Sequence, residues 1–515
     1  MAGGEGGTAV RELRAVRAQV VVVGGGPVGM LVAAELAAYG IDTVLLEAQD
    51  GVSERPKATT LHARAVQGLA RRGYLPGCRA PYAGHRAGRP FHFAGLPGLV
   101  ITAPANEPEP ILKCPQAELE RLFEQRAVAA GARILRGYRV TEVHQEADEV
   151  WVAAEGPQGP ALFVAPYAVG ADGARGSVRE QMGIACDTRP ASVSALMGAV
   201  RLEAPDALAD GWHRTARGWI VAKRDPAGHT HLRTLNCAGA HEDRQLEPTL
   251  EELRREVSWI AGRDIAMKEP RWLSRFSDFT RLACAFRAGG VFLVGDAAHV
   301  HFPIGGQGLS TGVLDALNLG WKLALAVLGA AGRGLLDTYD AERRPVAGRV
   351  IENTRAQLAL MRPGPESDAL RGVFTGLLAS EDGQDGQGSH GHLGAMVSGQ
   401  DTVLPPLTGC PSPAAGTFLR NIALTTATGE SDVIELLRAG RPQLLLFGEK
   451  GRGYRDQARE WEGIVRVVTA QPTPEVPYEA LLVRPDGYIG WAPGGEELGV
   501  ALSAYFAAGA RVGAP

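Results

Sequence analysis

The chain has 515 residues, 45% hydrophobic and 21% charged, which is ordinary for a globular protein and too long for one compact core, so two to four domains are expected. A net charge of −4 leaves no electrostatic footprint for nucleic acid or anionic lipid. Six scattered cysteines (Cys78, Cys114, Cys186, Cys237, Cys284, Cys410) make no C-x-x-C, residues 1–18 lack an apolar signal core, and no apolar run is long enough to span a bilayer, so a reduced, cytoplasmic protein is expected.

After a short tail at 1–17, residues 19–23 read as a buried strand, 30–37 as a helix closed by Gly40, and 43–46 as a second strand ending at Glu47. Helices are predicted over 61–72 and 116–130, and a hairpin over 139–144 and 150–154. Residues 190–280 hold strand-like pieces, including 219–223 and 231–235, and no phosphate loop, which predicts a separate, mostly antiparallel domain. Parallel-sheet character returns at 290–295, followed by long helices over 309–328 and 335–360. A polar, Gly-rich linker occupies 381–388, and a small α/β unit with strands near 443–447, 464–469 and 480–483 completes the chain. There is no internal repeat.

Three segments carry chemistry. Gly24-x-Gly26-Pro27-x-Gly29, between strand and helix, allows a tight turn and close approach of backbone N–H groups to a pyrophosphate, while Glu47 is spaced to accept hydrogen bonds from a ribose. Alone such a glycine pattern is weak; inside a complete strand–turn–helix–strand unit it predicts a dinucleotide site. The second, 167–179, places Asp172-Gly173 in a turn after a strand, a common loop pattern whose weight comes from the third. In that third segment, 295–310, a strand delivers Asp296 to a turn where its carboxylate can hold a ribityl hydroxyl. Gly305, Gly306 and Gly308 then open a helix whose N-terminus, worth about half a positive charge, suits a reduced flavin.

Together these segments resemble the class A FAD-dependent aromatic hydroxylases, the group of p-hydroxybenzoate and phenol hydroxylases, and most closely the actinomycete aromatic polyketide monooxygenases of angucycline and tetracycline type. The likeness runs from Val20 nearly to the end. It includes Arg55-Pro56-Lys57-Ala58, His62-Ala63-Arg64, Gln116, residues 315–323 and 339–345, and a tail segment, 482–491, like that family's thioredoxin-like domain.

The resemblance implies an α/β fold: a Rossmann-like FAD-binding domain in two parts (18–188, with some strands of the substrate sheet near 80–115, and 281–393). Between the parts lies a mostly antiparallel β-sheet substrate-binding domain (189–280), and a thioredoxin-like C-terminal domain covers 394–515. It assigns FAD binding to Gly24, Gly26, Pro27, Gly29, Glu47, Lys57, Arg64, Gln116, Asp172, Asp296, Pro303, Gly305, Gly306, Gly308, Leu309 and Ser310. The family usually has Arg at the position of Lys57, which forgoes the bidentate fork, and Asn at Ser310. His299, His301 and Pro303 are candidates to line the active site, and no side chain is assigned as acid or base. No Cys follows Cys410, so the tail domain has no thiol chemistry.

The implied reaction uses NADPH or NADH as transient reductant and O2 as co-substrate, and hydroxylates an aromatic polyketide through a flavin C4a-hydroperoxide in antibiotic biosynthesis. A Baeyer–Villiger or ring-rearranging outcome with the same cofactor is the alternative. A halogenase is disfavoured by the absence of Trp-x-Trp-x-Ile-Pro, and a flavin-binding interaction module by the intact flavin loop and full substrate domain. The pairs His229/His231, His299/His301 and His390/His392 lack further ligands at metal spacing, so no metal is expected. Arg343-Arg344 reads as an ion-pair site near Glu342, and Trp212, Trp219 and Trp272 as packing that leaves room for a planar substrate. Monomer and homodimer are both open.

Overall fold

The computed structural model describes residues 15–75, 88–242, 246–379 and 389–512. Cys78, most of the 1–17 tail, the 381–388 linker and the side chain of His390 lie outside them.

Val20–Val23 is four consecutive buried valines, a β-branched run that needs apolar cover on both faces. It sits inside a six-stranded sheet ordered Arg287–Ala288, Val291–Leu293, Tyr167–Gly170, Val20–Val23, Thr43–Glu47, Arg133–Arg136. Every pairing is parallel except that of the outermost Arg287–Ala288. Parallel strands send all their C-terminal ends to one edge. The Gly24 turn, Glu47, the Asp172 turn and Asp296 therefore emerge together, where ligands of such sheets bind. Helix Pro27–Ala38 packs against helices Gln116–Ala129 and Gly308–Val327.

A five-stranded antiparallel sheet follows, ordered Gly211–Thr215, Gly218–Arg224, Thr230–Leu235, Ser194–Leu202, Met267–Ser277. Its Leu196, Val200, Ile220, Ala222 and Leu232 pack on Leu253, Val257 and Ile260 of helix Leu250–Ala261. Strand alternation leaves Met197, Val221, Lys223 and Arg233 on the opposite face. The strand pattern read over 190–280 passed over this helix, although its signals are local. The Thr249 hydroxyl accepts from the Glu252 N–H at 3.1 Å, and Gly262 closes the helix in a left-handed conformation, φ 70°.

The strands expected near 80–115 do not join that sheet. Gly88–Phe93 and Leu96–Thr102 form their own hairpin, because Ala94 and Gly95 both take positive φ (52° and 71°) and close a tight local turn. The turn lies against two indoles: a Cβ on Gly95 would come 3.1 Å from Trp212 and Trp219. Ile111–Lys113 instead pairs antiparallel with Thr60–His62, so the helix expected from 61 begins at Ala63.

The C-terminal unit is a mixed sheet ordered Gly429–Asp432, Ala423–Thr426, Arg466–Ala470, Gln443–Phe447, Ala480–Val483, Ile489–Trp491. Buried charge holds it to the first unit. Arg484 donates twice to Glu342 at 2.8 Å and to Asp486 at 3.0 and 2.6 Å, while Lys322 and Asn318 also donate to Glu342. Burial works to raise the Glu342 carboxyl, but Arg484 and Lys322 outweigh it and hold it at about 2. Arg343, expected near Glu342 as a local ion-pair site, pairs instead with Asp315 at 2.8 Å. Helical geometry turns adjacent residues to different sides, so Glu342 and Arg343 serve separate hubs.

Candidate active site

The glycine turn divides its work. Gly24 has φ +106°, and a Cβ there would come 2.4 Å from the Ala171 carbonyl oxygen. A Cβ on Gly29 would meet the Gly24 carbonyl oxygen at 2.0 Å, so this glycine sets the close approach of helix to strand. Gly26 is different: a Cβ there meets nothing within 4 Å, and the position faces open space at the start of helix Pro27–Ala38. Pro27 occupies the first helical turn, where its missing N–H costs nothing. Glu47 reaches back into the turn, accepting from the Gly25 N–H at 2.6 Å and the Gln49 N–H at 2.7 Å, with acceptor capacity remaining.

Lys57 is exposed beside the same edge, and Gln116 opens its helix with its N–H donating to the Ala58 carbonyl. Behind them, burial and the nearby Glu47 raise the Glu120 carboxyl to about 7, against the pull of Arg136 and Lys57. Asp172 accepts from the Val178 N–H at 3.0 Å and fixes its own turn, while its buried Oδ1 has no partner. Arg64 departs from the cofactor role expected of it. Its guanidinium donates to Gln67 on its own helix and to the Gly399 and Gln400 carbonyls, and stacks 3.8 Å from the Phe418 ring centre, which turns it toward the C-terminal unit.

Asp296 is exposed after strand Val291–Leu293. Beyond exposed Pro303, Gly305 and Gly306 both take positive φ (76° and 64°), a conformation that suits two successive glycines, and Gly308 begins the 20-residue helix Gly308–Val327. The loop is pinned from outside. His62 Nε2 lies 2.7 Å from the Gly305 carbonyl, and Ser310 Oγ accepts from the His62 N–H at 3.0 Å. Burial lowers His62 to about 4, so the ring is neutral, donates from Nε2, and leaves a buried, unpartnered Nδ1. Leu309 is buried beneath the loop. His301 donates from Nδ1 to the Phe302 carbonyl at 2.9 Å, and burial also lowers it. Its unpartnered Nε2 lies 3.4 Å from where a Gly308 Cβ would stand. His299 does not share that position. It is buried, stacked on Phe286, with Nε2 2.7 Å from Asp315 Oδ2, so it is a packed, hydrogen-bonded residue rather than a lining group.

From His62 a continuous series of rings leaves the loop. His62 meets Phe91 edge-on at 5.2 Å, Phe91 stacks on His92 at 4.7 Å, His92 meets Trp212 at 4.7 Å, and Trp212 meets Trp219 at 5.7 Å. Phe91 and His92 escaped the sequence reading, because nothing local marks a hairpin residue as facing a loop more than 200 positions away.

The arrangement fits FAD: open space over Gly26, an unspent carboxylate oxygen on Asp172, and a left-handed glycine loop at a helix N-terminus on one sheet edge. The comparisons agree. A model of the FAD binding domain family matches residues 17–354, and one described as aromatic-ring hydroxylase, C-terminal, matches 412–509. The chain is 36% identical to a rifampicin monooxygenase of Streptomyces venezuelae over 95% of this chain and 98% of the relative. It is 35% identical to the 12-dehydrotetracycline 5-monooxygenase/anhydrotetracycline 6-monooxygenase of Streptomyces rimosus subsp. rimosus, over 92% and 95%. The solved structure of an aromatic hydroxylase from angucycline biosynthesis superposes with TM-score 0.84 at 33% identity, covering 96% of this chain and 99% of that one. Fold and site thus define an FAD-dependent monooxygenase. The chain belongs to the FAD binding domain family that carries the aromatic-ring hydroxylase C-terminal domain.

Proposed function

We propose that this protein uses NAD(P)H and O2 to hydroxylate an aromatic polyketide-like small molecule in the cytoplasm. FAD is held by 18–188 and 281–393, the substrate is covered by 189–280, and 394–515 has a structural role. The observation that carries the reading is the left-handed Gly305–Gly306 loop at the head of a helix, joined through His62 to an unbroken wall of rings. Relatives named for tetracycline and angucycline chemistry support the substrate class.

Bound FAD supplies acceptance of hydride and activation of O2. The protein's part is binding, orientation and exclusion of water. Gly26 and the N-terminus of helix Pro27–Ala38, in a turn shaped by Gly24 and Gly29, would receive the pyrophosphate; Glu47, with Lys57 and Gln116 nearby, would serve the ribose side. Asp172 and Asp296 face the ribityl chain, and Pro303 to Ser310 bring N–H donors and a helix dipole to the flavin ring. Ser310 keeps a hydroxyl proton to donate while its oxygen accepts from His62. His301, neutral, offers Nε2 as an acceptor for a substrate hydroxyl proton. The aromatic wall receives flat rings and keeps water from the reacting atoms.

The test is NADPH oxidation by FAD-loaded protein with and without a panel of anthraquinone and angucycline compounds. Oxidation stimulated by an aromatic ligand supports the reading; oxidation indifferent to every polycyclic phenol, with FAD retained, overturns it.

A further inference from the structure

One group of charges near the aromatic wall has no counter-ion among the described residues. Arg233 stands on the open face of the five-stranded sheet, flanked in register by Met197 and Val221. Solvent reaches it, yet the surrounding protein crowds it enough that desolvation lowers its guanidinium, the combination expected of a side chain inside a cleft. It makes no hydrogen bond or ion pair with the described residues. Lys223 lies on the same face of the neighbouring strand, also without an acid partner among the described residues. Asp225, two residues further on, pairs with His231 and Arg271 instead.

Opposite them, Lys113 comes from the strand paired with Thr60–His62, and its Nζ donates to Thr60 Oγ1 at 2.7 Å. Thr60 Cβ lies 3.8 Å from where a Gly306 Cβ would stand, so this ammonium is a neighbour of the flavin loop. Lys113 Nζ lies 6.0 Å from the centre of the Phe91 ring, Phe91 stacks on His92, His92 meets Trp212, and Trp212 stands in register with Val221 beside Arg233, so the three cations border one space; burial, then Lys223 and Arg233, pull Lys113 below its usual range. His92 lies in the same field. Burial with Lys113 and Arg233 lowers it to about 4, and its buried Nδ1 has no partner. Like charges gathered without a carboxylate cost stability in the free protein, and an anion placed among them removes that cost.

We propose that Lys113, Lys223 and Arg233 form an anion subsite that binds a carboxylate or enolate oxygen of the aromatic substrate, with Phe91, His92 and Trp212 stacking on its rings. The reading rests on the proposed aromatic oxygenase function and narrows its substrates to those that carry an acidic oxygen. The phosphates of the nicotinamide dinucleotide share this chemistry and are the competing source.

The probes are anthraquinone-2-carboxylate and its uncharged methyl ester, titrated into FAD-loaded enzyme and followed by the flavin absorbance change. The wild type should bind the carboxylate about 10- to 100-fold more tightly than the ester, the range of one or two charge-assisted hydrogen bonds. Arg233→Gln and Lys223→Gln should each erode that preference with FAD content unchanged, since neither side chain has a structural partner to lose. Equal affinity for both probes in the wild type, failure to bind either, or a preference that survives Arg233→Gln overturns the proposal. Anaerobic flavin reduction at varied NADPH separates the sources. If Arg233→Gln raises the NADPH needed for half-maximal reduction while the carboxylate preference stays, the subsite belongs to the dinucleotide and the proposal is wrong. Failure of the broader reading would appear separately, as loss of FAD or as no aromatic stimulation of NADPH oxidation in the wild type.

Discussion

Replacing Gly26 with Ala separates a structural glycine from one that faces a ligand. Gly26 has φ −68° and ψ 175°, ordinary for any residue, and the added methyl meets no protein atom within 4 Å. The folded protein without cofactor should change by about 1 kcal/mol or less, the usual range for a helix-cap substitution. If the pyrophosphate packs on that backbone, the methyl intrudes on a close contact, and overpacking of that kind costs roughly 1–3 kcal/mol. That converts to about 5- to 150-fold weaker FAD binding. The assay is fluorescence titration of apoprotein with FAD, beside thermal unfolding of the same apoprotein. Gly29→Ala is the contrast, because its methyl would stand 2.0 Å from the Gly24 carbonyl oxygen and should lower apoprotein stability itself by about 3 kcal/mol. A Gly26→Ala protein that binds FAD like the wild type would refute the assignment of this space to the pyrophosphate.

Arg484→Met should cost about 3–5 kcal/mol in urea unfolding, because it leaves Asp486 buried without its cation and Glu342 with Lys322 as its remaining cation; a loss below 1 kcal/mol would contradict the hub. Ser310→Ala removes the acceptor for the buried His62 N–H and should destabilise by about 1–3 kcal/mol, read as a lower midpoint in the same assay. Glu120 gives a pH test. Its folded carboxyl, raised to about 7, takes up protons more readily than the unfolded one, so stability falls as pH rises from the ordinary carboxylate range through about 7. Glu120→Gln should therefore match the wild type at pH 4 and exceed it at pH 8. After allowance for solvent screening and for Arg136 at 3.8 Å, the gain is about 1 kcal/mol; a variant less stable at pH 8 would reverse the sign of the argument. Arg64→Met should loosen the C-terminal unit, seen as faster proteolysis near 399–418, while FAD affinity stays within about twofold; a large loss of FAD would return Arg64 to the cofactor.

Much of the cofactor edge was legible because its signals are local. A valine run, a glycine turn, and an acid at the end of the next strand each lie within one short stretch, and parallel pairing then brings four such strand ends together. The flavin loop could be read for the same reason: glycine takes two successive left-handed positions ahead of a helix at least cost. Arg64 shows that adjacency to a motif says nothing about direction: its helix turns it toward Phe418 and Gly399, hundreds of residues away. His299, a candidate lining residue, is likewise turned away, since Asp315, about two turns into the following helix, holds its ring at 2.7 Å. The Lys113, Lys223 and Arg233 group depends on separate segments meeting, which no local periodicity encodes.

The most direct measurement is the fate of labelled oxygen: FAD-loaded enzyme, NADPH, an anthraquinone or angucycline phenol, and 18O2, with the product resolved by mass and NMR. The account predicts one 18O atom in a new phenolic hydroxyl and NADPH consumed in step with it. An 18O atom placed in a ring-expanded lactone, or NADPH consumed with all of the oxygen released as peroxide, would contradict it.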